Sequence, residues 1–191
     1  SDYINFEGDN VLVIRVDATQ YEGWFYEGAG IYRHVWLHIT DKIFIPQGGI
    51  FVHSEVKGKN AEVTIETTIQ NNNLKNSNSV ICSYITDRNG KIIGKTKEQK
   101  VNLGIFKIQT IKQHLQLKNP EIWSLENPYL YRVVSVIKSG NQIIHQTKTR
   151  FGIKTVKFDA KEGFFLNGKH LKIKGTNNHQ DHAGIGSALP D

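Results

Sequence analysis

Between residues 48 and 150 apolar and polar side chains alternate in short runs, and that alternation predicts β-strands. In Ala61-Glu62-Val63-Thr64-Ile65-Glu66-Thr67 the apolar residues occupy every second position, so one face meets a core and the other meets water. Runs of this kind at 50–57, 61–70, 79–87, 91–100, 105–117, 129–139 and 142–150 are separated by turn signals such as Asn89-Gly90 and Ser139-Gly140-Asn141. Short glycine-containing connections make neighbouring strands antiparallel. The Asn-rich stretch 71–78 reads as a loop in which asparagine tolerates a left-handed backbone.

The pattern therefore predicts an all-β fold, an immunoglobulin-like β-sandwich of about seven antiparallel strands without the cysteine pair. The segment 120–131 carries Pro120 and Pro128, which keep it out of a central strand, and its Trp123 is placed to cover an open end of the sandwich. Two further strands are predicted upstream, at 11–16 and 31–39, with an aromatic loop at 21–26 between them. A lone pair of strands is marginal in water, so this segment needs a neighbour. Downstream, Phe164-Phe165-Leu166 and Lys169-His170-Leu171 flank Asn167-Gly168, a strong signal for a hairpin with a type I′ turn. The run 170–174 continues the alternation until Gly175 breaks it.

Charge and cysteine usage change this picture little. The net charge of +6 is carried by lysines spread singly over strand-like segments, which is a solvated surface rather than a nucleic-acid footprint. The single cysteine, Cys82, excludes an internal disulfide framework and reads as a small core residue. No stretch reaches the ~18 apolar residues of a membrane-spanning helix.

Chemistry concentrates after Gly175, where Asn177, Asn178, His179, Asp181 and His182 follow within a few residues. A structural reading makes them strand-end caps. A metal reading compares Thr176 to Gly184 with the Thr-His-x-His-x-Asp-His-x-Gly pattern of metallo-β-lactamases, a zinc set. Against it, Asn177 stands where the first histidine belongs, and no further ligand set follows His182.

A third reading comes from four ordered anchors. Gly28-Ala29-Gly30-Ile31-Tyr32-Arg33-His34-Val35-Trp36-Leu37, Trp123 to Tyr131, Arg150-Phe151-Gly152-Ile153-Lys154, and Phe165 to Lys169 with Lys174 to Asp181 resemble successive motifs of glycoside hydrolase family 2, the β-galactosidase and β-glucuronidase group. The resemblance implies three parts: residues 1–46 as the C-terminal part of a sugar-binding jelly roll, 47–150 as the immunoglobulin-like sandwich, and 151–191 as a linker hairpin and the start of a (β/α)8 catalytic barrel. It implies a retaining β-glycosidase whose two catalytic glutamates lie downstream of residue 191, so no catalytic residue is assigned in this chain. Glu121, Glu126 and Glu162 are not promoted to that role.

By the same resemblance Asn177, Asn178, His179 and Asp181 bind substrate at the mouth of the first barrel strand, although Asn178 departs from the arginine often found there. The residues present call for no cofactor, and Mg²⁺ or Na⁺ is an expectation for the parent enzyme alone. The expected partner is a β-linked sugar, with homo-oligomers through exposed strand edges and no nucleic acid. Periplasmic placement would suit such an enzyme, though no residue here carries it.

Overall fold

The alternation at 61–67 becomes the central strand of one of two facing sheets. In the computed structural model, which describes residues 3–17, 31 and 34–177, the regular elements among the described residues are all β-strands. Two compact units emerge, residues 38–174 and residues 1–37 with 175–191.

Within the first unit, β3 (Asn60–Asn71) pairs along one edge with β1 (Ile43–Phe44) and β2 (Ile50–Lys57), and along the other with β7 (Ile108–Lys118). The second sheet centres on β4 (Ser77–Thr86) and β8 (Tyr131–Ser139), with β9 (Gln142–Phe151) beyond β8. On the other edge of β4 lie β5 (Ile92–Lys95) and β6 (Gln99–Leu103). Every pairing is antiparallel, and the arrangement is the expected immunoglobulin-like sandwich, three ladder positions facing four.

Both broken edges have local causes. Between β1 and β2 the chain turns through Pro46, which has no N–H, and Gly48, whose φ is 72°. The predicted strand 91–100 is in fact β5 and β6, because Thr96 turns its hydroxyl inward. Thr96 N–H still donates to the Ser83 carbonyl at 2.8 Å, but the Ser83 N–H goes to Thr96 Oγ1 at 2.9 Å instead of to a backbone carbonyl, and the hydroxyl donates to the Ser83 carbonyl at 3.2 Å. The run 105–117 starts late, at Ile108, after Phe106 adopts a φ of 53°.

The asparagines of 71–78 do not take the expected left-handed backbone, since none of them has a positive φ. Instead the fully buried Asn71 donates through Nδ2 to the Lys75 and Gly104 carbonyls, at 3.0 and 2.9 Å, and accepts the Asn73 N–H at 2.9 Å. Its side chain closes the loop, so backbone strain is unnecessary.

The core has two apolar lobes, each drawing on both sheets. One contains Ala61, Val63, Ile65, Ile85, Leu117, Tyr131, Val133, Phe151 and Ile153. The other contains Ile45, Ile69, Ile81, Val101, Leu103, Ile111 and Ile137. Burying an isoleucine contributes about 1.5–3 kcal/mol, so these lobes dominate stability. Between them runs a polar belt: Thr67, Ser83, Gln113 and Ser135 are all buried, each flanked along its strand by inward apolar residues. Ser83 Oγ donates to Gln113 Oε1 at 2.8 Å and shares a second 2.8 Å bond with Ser135 Oγ. Gln113 Nε2 donates to the Lys97 carbonyl at 3.2 Å. Thr67 Oγ1 has no partner. Cys82 is a buried free thiol, as expected.

In the other unit, the strand predicted at 11–16 does not form. Residues 11–17 belong to no ladder, and Val11 is 86% exposed. At 31–39 the described residues, 31 and 34–39, are likewise in no strand, although the His34 and Trp36 rings stack at 5.5 Å. Alternation alone does not make a strand, because the backbone N–H and C=O groups also need a partner edge. The aromatic loop at 21–26 lies outside the described residues.

Candidate functional site

The approach to the candidate site is built by a hairpin clasped to the sandwich. β10 (Val156–Asp159) pairs with β11 (Gly163–Leu166), and β11 with the short β12 (Lys169–His170). Asn167 and Gly168 join β11 to β12 with φ values of 52° and 77°, as a type I′ turn requires and as the Asn-Gly pair predicted. Asn167 also has a second task. Its Nδ2 donates to the Trp123 carbonyl at 2.9 Å and its Oδ1 accepts the Thr155 N–H at 3.0 Å, fastening the turn to the 119–130 link.

That link is itself fixed. Glu121 N–H donates to Tyr131 Oη at 2.7 Å, and Trp123 N–H to the Ile153 carbonyl at 2.8 Å. Burial pushes the Tyr131 phenol above its usual pKa, so it stays neutral. Trp123 lies against Gly152, and Lys154 Nζ sits 4.7 Å from its ring centroid. Trp123 is thus packed at the end of the sandwich. Glu126 is held below the usual carboxylate pKa by its own backbone N–H and by the Ser124 side chain, so it stays ionised and makes a poor proton donor.

After His170 the structure departs from expectation. Leu171 N–H still reaches the Phe164 carbonyl at 2.9 Å, but residues 171–177 form no strand, and Ile173 is 65% exposed. The first barrel strand expected at 170–176 is therefore absent among the described residues, apart from His170 at the end of β12. A strand needs a partner edge for its backbone N–H and C=O groups, and none pairs with 171–177 among the described residues. Asn177 is exposed, while Asn178, His179, Asp181 and His182 lie outside the described residues. Among the described residues no three His, Cys, Asp or Glu side chains converge as a metal would need.

Residues 38–174 thus form a tryptophan-anchored β-sandwich that ends in a clasped hairpin. The chain belongs to glycosyl hydrolases family 2, whose family model matches residues 38–154. It is 35% identical to a β-galactosidase of Bacteroides ovatus over 190 residues, which is 98% of this chain and 22% of that protein. A β-glucuronidase of Formosa agariphila is 29% identical over 218 residues, 99% of this chain and 22% of its own length. The crystal structure of a family 2 member from Bacteroides cellulosilyticus superposes with a TM-score of 0.79 and 32% identity, covering 87% of this chain and 23% of that one. The chain thus spans between a fifth and a quarter of the length of these relatives.

Proposed function

We propose that this chain is the scaffold segment of a retaining β-glycosidase, most similar to a β-galactosidase, acting on β-linked sugars in carbohydrate catabolism. The observation that carries the reading is the family membership of residues 38–154 together with the Asn167 clasp, which fixes the direction in which the chain leaves the sandwich. Residues 1–46 belong to a sugar-binding jelly roll, 47–150 form the sandwich domain, and 151–191 lead into the catalytic barrel. The acid/base and nucleophile glutamates are supplied from outside these residues. In a retaining enzyme such a pair stands about 5–5.5 Å apart across the bond that is cut.

Asn177, Asn178, His179 and Asp181 form one wall of the sugar pocket. His179 hydrogen-bonds a sugar hydroxyl, and that bond strengthens as the oxocarbenium-like transition state develops. In an enzyme containing this chain, His179→Ala is expected to lower kcat/KM by about a hundredfold, or ~2.7 kcal/mol, mostly through kcat. Unfolding of the 191-residue chain should be unchanged by the same substitution. A kcat/KM within a factor of about two of wild type would remove His179 from the site. Proton NMR of the first product tests retention separately, since appearance of the α-anomer first would contradict it. In the 191-residue chain the end segments, 1–46 and 151–191, fold back on the sandwich or join two chains through their strand edges; light scattering that shows a monomer, together with rapid proteolysis of both ends, would contradict this.

A further inference from the structure

The fold gathers arginines that the sequence scatters. On the outer face of the four-position sheet, Thr86, Arg132 and Arg150 stand side by side in one row across β4, β8 and β9. The next row sets Lys95, Tyr84, Val134 and Lys148 in line. Glu98, a carboxylate near this sheet, is already taken by Lys138 at 3.0 Å.

At the end of the face, Arg88, Arg132 and Arg150 line a concavity of about 460 Å³ together with Asn127, Pro128 and Leu130. Arg88 is held in place there. The Arg88 guanidinium carbon lies 4.2 Å from the Tyr129 ring centroid, and the Arg88 backbone N–H donates to Tyr129 Oη at 3.3 Å. The acid bonded into this wall, Glu121, accepts from Asn127 Nδ2 at 3.2 Å. Among the described residues none of the three arginines forms an ion pair with a carboxylate.

This arrangement is costly for a bare sheet. Like charges directly opposite on antiparallel strands destabilise the pair, and Arg132 faces Arg150 in that way. Convergent guanidiniums focus a positive potential, and their planar forks match carboxylate and sulfate oxygens two at a time. The concavity falls within the roughly 300–1,000 Å³ typical of small-ligand sites, and Pro128 and Leu130 give it an apolar flank against which a sugar ring can lie. A flat acidic protein surface would leave that hollow unfilled.

We propose that Arg88, Arg132 and Arg150 form an oxyanion site on the sandwich that receives the carboxylate or sulfate group of an acidic saccharide. The saccharide half of this assignment rests on the glycosidase reading, whereas the oxyanion half rests on the arginines alone. The site lies wholly within residues 38–174, and it bears on which sugars the parent enzyme holds rather than on the bond it cuts.

The test is an NMR titration of the arginine Nε–Hε signals in the 191-residue protein. The probes are methyl β-glucuronide, galactose 6-sulfate, methyl β-galactoside, inorganic sulfate and a short glutamate-rich peptide. The first two should shift all three signals at millimolar concentration, with affinity falling about fivefold between about 20 and about 300 mM salt. The neutral galactoside should give no shift, and inorganic sulfate should bind more weakly than either acidic sugar.

Arg132→Ala should weaken the acidic sugars about tenfold. It should also raise the melting temperature by relieving the like-charge pair, whereas loss of a merely structural contact would lower it. Arg150→Lys, which keeps the charge and loses the fork, should weaken binding less and leave the fold intact. Absence of any anion response, equal binding of the neutral galactoside, or tighter binding of the peptide would overturn the proposal. Sulfate binding as tightly as both sugars would overturn its saccharide half while leaving the family-based glycosidase reading untouched.

Discussion

Gly152→Val is expected to destabilise the sandwich by about 3 kcal/mol or more, seen as a lower urea midpoint with an unchanged slope. A Cβ at position 152 would stand 2.9 Å from Cβ, Cγ and Cδ1 of Trp123, closer than side-chain carbons approach in folded proteins. The conflict is one of space, because Gly152 is not among the glycines with positive φ. Relief would require Trp123 to move, and Trp123 is pinned on both sides of its peptide: its N–H donates to the Ile153 carbonyl at 2.8 Å, and its carbonyl accepts Asn167 Nδ2 at 2.9 Å. Overpacking typically costs about 1–3 kcal/mol, and this site lacks the slack that keeps the cost at the low end. Gly152→Val should therefore also loosen the 156–170 hairpin, detectable as faster hydrogen exchange at Thr155 and Asn167. A variant as stable as the wild type would mean that Trp123 is free to swing away.

The second large effect concerns the polar belt. Gln113→Ala should cost about 3 kcal/mol, combining the volume lost from a side chain only 3% exposed with a Lys97 carbonyl left without its donor. Ser83 would keep its bond to Ser135 but lose the 2.8 Å bond to Gln113. Replacing the whole group, as in Ser83→Ala, Ser135→Ala and Gln113→Leu together, should cost much less than the sum of the single changes, because matched apolar partners leave fewer buried donors and acceptors unmet. Chemical denaturation of the single, double and triple variants measures that difference. Strict additivity would show that the belt is not a coupled network.

How far the sequence speaks can be argued from these same residues. The sandwich was legible because Val63, Ile65 and their counterparts sit at a period of two with turn residues between the runs. The Asn167-Gly168 turn was legible because only a few residue pairs tolerate two positive φ values. The polar belt was not legible, since Ser83, Gln113 and Ser135 occupy inward positions yet look like surface residues until their strands are paired. Thr96 hid the break between β5 and β6 for a similar reason, its hydroxyl making bonds that no linear pattern encodes. The strands predicted at 11–16 and 170–176 erred the other way: an apolar run in the first and an alternating one in the second were present, and the partner edge was not. Of the candidate site, the structure describes Asn177 as exposed, while the assignment of Asn178, His179 and Asp181 rests on motif resemblance. The arginine concavity was invisible in the sequence because Arg88 lies in the turn after β4 while Arg132 and Arg150 lie on β8 and β9, and only the strand pairing brings them to one end of the face.

The central claim is that this chain supplies a scaffold and one wall of a sugar site, and that the reacting glutamate pair comes from elsewhere. The most direct measurement is the hydrolysis rate of nitrophenyl β-galactoside and nitrophenyl β-glucuronide by the purified, folded 191-residue protein, beside a heat-killed control. The rate should be indistinguishable from the control with both substrates. Turnover that survives repurification and disappears on heating would place an acid and a nucleophile within these residues and contradict it.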